Sequence, residues 1–205
     1  MNIDLDGKIA LVAGRKGALA VAVRSALAEN GAKVVDIDVA AGAETFDRSL
    51  DDEPFLLILV SKGADGLPTT DQGCGIERTD FTRMARHLAP RLKRVVILFS
   101  SAGLVPVRGL ADFSADQAGI ASLTRTLGME LGPSPVVNAV SVGAWDADGT
   151  VQSSRFLGHT AVKRPASLSE VISAVLFLAD PDNTYMTGHT INVDGGWAAG
   201  YARNF

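Results

Sequence analysis

Short, unbroken apolar runs separated by helical patterns organise this chain. Lys8-Ile-Ala-Leu-Val-Ala13 ends at Gly14, and Lys33–Ile37, Leu56–Val60, Val95–Phe99 and Val136–Val142 follow. Apolar runs this short, bounded by glycine or charge, read as strands buried on both faces, the signature of a parallel sheet. Ala43–Phe46 adds a shorter strand after the second run. Between the runs lie helical stretches. Residues 18–30, ALAVAVRSALAEN, end at Gly31 in a C′ position. A Gly- and Thr-rich loop, 61–78, leads into a helix at 80–93, and a long helix beginning near Asp112 is closed by Gly132-Pro133. In the last helix Ser167 or Ser169 is the cap and Glu170 stands in the first turn. Ala174, Leu176, Phe177 and Leu178 pack it, and Ala179-Asp180-Pro181 stops it. Alternating strands and helices predict an α/β domain, one unit over residues 1–205.

Composition narrows the function classes. The chain is 47% hydrophobic and 20% charged with net charge −4, which suits a compact core and gives no basic surface for nucleic acid. No apolar run reaches membrane-spanning length, and Met1-Asn-Ile-Asp-Leu-Asp6 is not a signal peptide. A single cysteine, Cys74, excludes an internal disulfide and fits a reducing cytoplasm, where this protein is expected. No His or basic residue adjoins Cys74 in sequence, so it reads as an incidental loop thiol.

Two stretches carry candidate chemistry. Strand, Gly14 turn, helix, strand and then Asp38 outline a dinucleotide-binding βαβ unit, with Asp38 24 residues beyond Gly14, where an acceptor for a ribose 2′-hydroxyl belongs. Arg15 and Lys16 in the turn allow three readings: pairing with a phosphate at the helix N-terminus, pairing with Asp38 across a vacant groove, or solvated loop charges. The second stretch is Ser100–Leu131, where Ser-Ser is followed by Phe113-Ser-Ala-Asp-Gln117-Ala-Gly119.

These stretches resemble the short-chain dehydrogenase/reductase family, whose active-site segment reads Ser…Tyr-x-x-x-Lys followed by Ala-Gly. Val162–Trp197 is similar to that family's last helix, last strand and Asp-Gly-Gly ending. The resemblance runs from Asp6 to Trp197. It implies a Rossmann-like doubly wound parallel sheet, here shortened, with strand order 3-2-1-4-5-6-7. In family members a Tyr hydroxyl exchanges a proton with the substrate while a nicotinamide carries hydride, and the Lys lowers the Tyr pKa and holds the cofactor ribose. Here the Tyr position is Phe113 and the Lys position is Gln117. Phe113 has no proton to give, and Gln117 has no charge to stabilise a phenolate. The family Ser is Ser100 or Ser101; the thirteen-residue gap to Phe113 favours Ser100.

Other motifs depart together. Against Thr-Gly-x-x-x-Gly-x-Gly stands Ala13-Gly14-Arg15-Lys16-Gly17-Ala18-Leu19-Ala20, with only Gly14 in register. Asn-Asn-Ala-Gly is replaced by Ser61-Lys62-Gly63-Ala64. No asparagine lies between Asn30 and Asn138 to serve the proton relay, and His87 reads as a surface or interface histidine. Phe46-Asp47-Arg48-Ser49 is similar to the adenine-side stretch, but only nine positions separate Asp38 from Asp47. The downstream Thr is Ala147, and the loop WDADGTVQSS is too short to cover a large pocket.

The expectation is therefore a non-catalytic subunit with no catalytic residue, in which Ser100, Phe113 and Gln117 are degenerate family positions and Gly14, Arg15 and Asp38 are vestiges of a cofactor site. No metal and no cofactor are expected on this chain, with NAD held by an active paralogue in a heterotetramer. The resemblance implies assembly through the helix near Asp112, the helix at 80–93 and the C-terminal segment, with Ala115, Ala118, Gly119 and Ser122 as a small face. Mixed tetramers of this kind oxidise hydroxyacyl-CoA in anaerobic toluene breakdown. Two other readings stand beside it: an atypical active oxidoreductase using Ser100 with Asp116 or His159 as proton carrier, and a ligand-binding or regulatory protein on the same fold.

Overall fold

A computed structural model describes residues 1–14, 17–37, 53–68, 75–146 and 157–200. The expected strand at 43–46, Arg15, Lys16, Asp38, Asp47, Cys74, Ala147 and most of the loop after Trp145 lie outside them. In chain order the elements are β1 (Ile9–Gly14), α1 (Ala18–Glu29), β2 (Lys33–Ile37), β3 (Leu56–Val60), α2 (Gly75–Leu88), β4 (Arg94–Ser100) and α3 (Ala111–Glu130). Then come β5 (Val136–Val142), β6 (Trp145–Asp146), β7 (Ala166–Ser167), α4 (Leu168–Ala179) and β8 (Thr190–Val193). Short 3-10 turns at Lys62–Asp65, Ala89–Arg91 and Ser101–Gly103 join the strand ends to the helices.

The sheet runs β2-β1-β3-β4-β5-β8, every pair parallel. This is the expected order with its outermost strand, 43–46, beyond the described residues. Alternation along each strand sends successive side chains to opposite layers. Val12, Ile58, Leu98 and Val140 meet Leu19, Val23 and Leu27 of α1 and Val171, Val175 and Leu178 of α4. Leu11, Leu57, Leu59, Ile97 and Phe99 meet Phe81, Met84 and Leu88 of α2 and Ile120, Ala121 and Leu127 of α3. Burial on both faces is why β3, β4 and β5 read as continuous apolar runs rather than alternating ones.

Two expectations change. The second helix spans Gly75–Leu88 rather than 80–93, because Pro90 has no N–H and disfavours the α conformation before it, so Ala89–Arg91 tightens into a 3-10 turn. Phe177 is 40% exposed and lies on the outer side of α4, while Leu176 and Leu178 face the core. Gly119 is half-buried and lies beside the Arg78 guanidinium of α2. Ala115, Ala118 and Ser122 are exposed as expected.

At the N-terminal edge of the sheet, Arg94 is buried and donates to the carbonyls of Pro181 and Asn183. Its guanidinium stacks 5.6 Å from the Phe55 ring, so one strand end, one loop and the β8 approach are tied together. At α4 Ser167, not Ser169, is the cap: its hydroxyl accepts from Glu170 N, and the Glu170 carboxylate accepts from Ser167 N at 2.8 Å. Arg164 donates to both Glu170 oxygens, and chiefly for that reason the Glu170 carboxyl falls from 4.5 to about 2. A depressed folded-state value stabilises above the unfolded value and fades as pH falls through the folded one. Glu170→Gln should therefore lower Tm at neutral pH, and thermal melts should show the gap to wild type closing between pH 4.5 and about 2.

Candidate functional site

In open α/β sheets a ligand crevice forms at the carboxyl ends of the strands, where the chain reverses its direction of travel across the sheet. Here that point lies between β1 and β3: the chain first moves from β1 out to β2, then returns to β3 on the other side of β1. Gly14 ends β1 in register with Val60. Its φ is +133°, and a Cβ there would overlap the Val60 carbonyl. Gly14 is thus fixed by the closeness of two strands as much as by any ligand.

The turn after β3 faces α1 across this crevice. Ser61 caps it by accepting from Gly63 N at 3.1 Å. At its end Asp65 turns its carboxylate onto the start of α1, where Oδ1 accepts a long 3.4 Å bond from Leu19 N. A Cβ on Gly17, the N-cap of α1, would overlap the other oxygen of that carboxylate. Helix α1 has no side-chain cap and no acid of its own in the first turn. Asp65 supplies the negative charge that its N-terminal amides attract. From the opposite side Trp145, 3% exposed, donates its indole N–H to Ala64 O at 2.8 Å, linking the loop after β5 to the turn after β3.

At the family catalytic positions the side chains meet as structural groups. Phe113 is 2% exposed and packs with Ala102, Leu110, Leu67 and Val107. Gln117 is fully buried, and its Oε1 accepts from Ser100 N at 2.8 Å while Nε2 donates to Ser61 Oγ at 3.2 Å. One amide therefore ties α3 to the ends of β3 and β4. An ammonium group has donors only and cannot accept from Ser100 N. The Ser100 hydroxyl accepts from Ala102 N at 3.3 Å and caps the turn after β4, whereas Ser101 Oγ is buried without a partner among the described residues.

The structure thus brings together Ser100, Phe113, Gln117 and Gly14 at the strand ends. Asp116 is half-buried on α3, and His159 and His87 are exposed. Arg15 and Asp38 fall outside the described residues. Sequence reasoning missed Asp65 and Trp145. Their signal was present as an acid directly after Ser61-Lys62-Gly63-Ala64 and a large aromatic directly after Gly143-Ala144, but neither indicates its partner. A dinucleotide's diphosphate would belong at the N-terminus of α1, beside which the described residues place the Asp65 carboxylate. Among the described residues there is no cluster of His, Cys, Asp and Glu able to hold a metal and no helix long and apolar enough to cross a membrane.

Replacing Gln117 by Lys removes the acceptor of a buried backbone N–H and buries a charge. Gln117→Lys should cost about 1–3 kcal/mol, read as a lower urea midpoint; an unchanged midpoint would contradict the bracing role.

Comparison with known proteins agrees with this architecture. The family model described as enoyl-(acyl carrier protein) reductase matches residues 70–198. The chain is 26% identical over 240 residues to the 3-oxoacyl-(acyl-carrier-protein) reductase of Vibrio cholerae, covering 95% of this chain and 98% of that enzyme. It is 35% identical over 107 residues to trans-4-hydroxycyclohexanecarboxylate dehydrogenase of Sinomonas cyclohexanicum, a match that spans 52% of this chain and 41% of that enzyme. A short-chain dehydrogenase/reductase structure from Serratia marcescens superposes with TM-score 0.78 at 21% identity, over 95% of this chain and 99% of that one. With the parallel sheet, the crevice at its strand ends and the match over more than half its length, the chain belongs to the short-chain dehydrogenase/reductase family of oxidoreductases.

Proposed function

We propose that this chain is a non-catalytic subunit that assembles with an active, NAD-carrying member of its own family. One observation carries the reading: at the two positions where the family places its proton carrier and its cation, this chain has an apolar ring in an apolar cluster and a neutral amide spent on bracing two strands. Proton exchange with a substrate oxygen needs a titratable group within hydrogen-bond reach. Phe113 offers none, and both functions of the Gln117 amide are engaged inside the fold. The chain's own residues hold the strand ends and exclude water from them; they move no proton.

The assembly face we assign is the α2–α3 side. Arg78, Thr82, Arg83 and Arg86 of α2 and Gly119, Ser122 and Thr126 of α3 line an open groove of about 800 Å³ there. Arg86 is paired with Glu130 at 2.6 Å and Arg83 with Asp80 at 2.8 Å, so the groove combines fixed charge with small side chains. The partner reaction is assigned to the oxidation or reduction of a hydroxyacyl or oxoacyl thioester, a class in keeping with the Vibrio cholerae relative, a 3-oxoacyl-(acyl-carrier-protein) reductase. Since relatives are named reductases and dehydrogenases, an active enzyme is the competing class.

The chain alone should not oxidise NADH or NADPH with a 3-oxoacyl thioester, and Phe113→Tyr with Gln117→Lys should also stay inactive while Asp65 remains. Turnover by the wild-type chain would end the non-catalytic reading. Co-expression with a catalytically complete paralogue from the same source should yield a stoichiometric complex. Ala118→Arg, at an exposed position, should leave the chain folded and abolish that complex; native mass spectrometry showing the complex intact would refute the assigned face.

A further inference from the structure

The groove between α2 and α3 is charged on one wall only. Its α2 wall carries Arg78, Arg83 and Arg86, its α3 wall carries Gly119, Ser122 and Thr126, and no acid is among the lining residues. Two of the arginines are answered from outside the lining: Arg83 by Asp80 on its own helix, and Arg86 by Glu130 at the end of α3. Arg78 is exposed and forms no ion pair among the described residues. Its guanidinium lies beside Gly119, where the missing side chain leaves room for it. The groove thus presents one cation that the described residues do not neutralise.

We propose that Arg78 selects the partner: the surface that docks in this groove belongs to the active paralogue and presents an aspartate or glutamate carboxylate to Arg78. The proposal rests on the reading of this chain as a subunit that assembles through its α2–α3 side, and names the group that recognises the partner. A guanidinium donates two parallel N–H bonds to a carboxylate, a fork that a lysine ammonium lacks. Docking covers the groove and takes Arg78 out of water, so a partner without an acid there leaves a desolvated charge unpaired. A second copy of this chain, docked through the same surface, brings the same arginines, while its Asp80 and Glu130 are already engaged by Arg83 and Arg86. Like charges then face each other across the contact. The same side chain therefore favours the paralogue and disfavours self-pairing.

The test pairs the full chain, and its Arg78→Lys, Arg78→Gln and Arg78→Glu variants, with the catalytically complete paralogue from the same source. Complexes are followed by native mass spectrometry, and their dissociation constants are measured over a range of salt. Arg78 is exposed, so all three variants should keep the circular dichroism spectrum of the wild type. Binding should weaken in the order Lys, Gln, Glu, by about tenfold for Gln and about a hundredfold for Glu. Wild-type binding should fall more steeply with salt than that of Arg78→Gln. Changing the exposed Asp and Glu residues of the paralogue to Lys, one at a time, should yield one variant that restores binding to Arg78→Glu. An Arg78→Glu chain that binds as tightly as the wild type overturns the proposal and leaves the non-catalytic reading standing. A wild-type chain that pairs with itself through this face, in a dimer lost on Ala118→Arg, overturns the choice of partner. A wild-type chain that forms no complex with the paralogue overturns the assembly reading itself, and the proposal with it.

Discussion

The amide N–H at the end of β4 must have an acceptor, and the fold is arranged around the one it has. Ser100 N lies buried where a strand, a 3-10 turn and the long helix α3 meet, and Gln117 supplies the oxygen. The other end of the same side chain reaches Ser61, which caps the turn that carries Asp65. One neutral amide thereby sets the positions of two strand ends and one turn. A charged amine at this place has no lone pair to offer, so a lysine could not make the bond to Ser100 N.

A second long-range side-chain contact stands at the switch point. A helix without an acidic first turn still carries partial positive charge at its N-terminus, and something negative is favoured there. In a cofactor-binding relative that place suits a phosphate; here Asp65, tethered to the turn after β3, reaches it. A tethered group needs no free ligand and carries little of the association entropy a free one must lose. The turn after β3 is thus joined to α1 on one side and to Trp145 on the other.

Much of this was legible in sequence, for identifiable reasons. Strands buried on both faces announce themselves as apolar runs, and Leu56–Val60 and Val136–Val142 coincide with β3 and β5. Gly31, with φ +93°, and Ser167 with Glu170 marked helix ends through local chemistry alone. The loss of Tyr and Lys was plain at Phe113 and Gln117. What the sequence could not convey was the use made of the replacements. The bond from Gln117 to Ser61 spans 56 residues, and that from Trp145 to Ala64 spans 81. Neither follows from any periodicity. Phe177 was misplaced for a related reason: which side of a helix meets a core is decided by tertiary packing rather than by local pattern.

Under the proposed function, no cofactor occupies the crevice of this chain, and the turn after β3 keeps its contact with the start of α1. The most direct measurement follows the backbone amide signals of Leu19 and Gly63 by two-dimensional nuclear magnetic resonance as NADH is added to the purified wild-type chain. The account predicts that both signals stay where they are up to millimolar NADH, because Asp65 already faces the first amides of α1 and Ser61 already holds Gly63. A saturable shift of the Leu19 amide at micromolar NADH would contradict it.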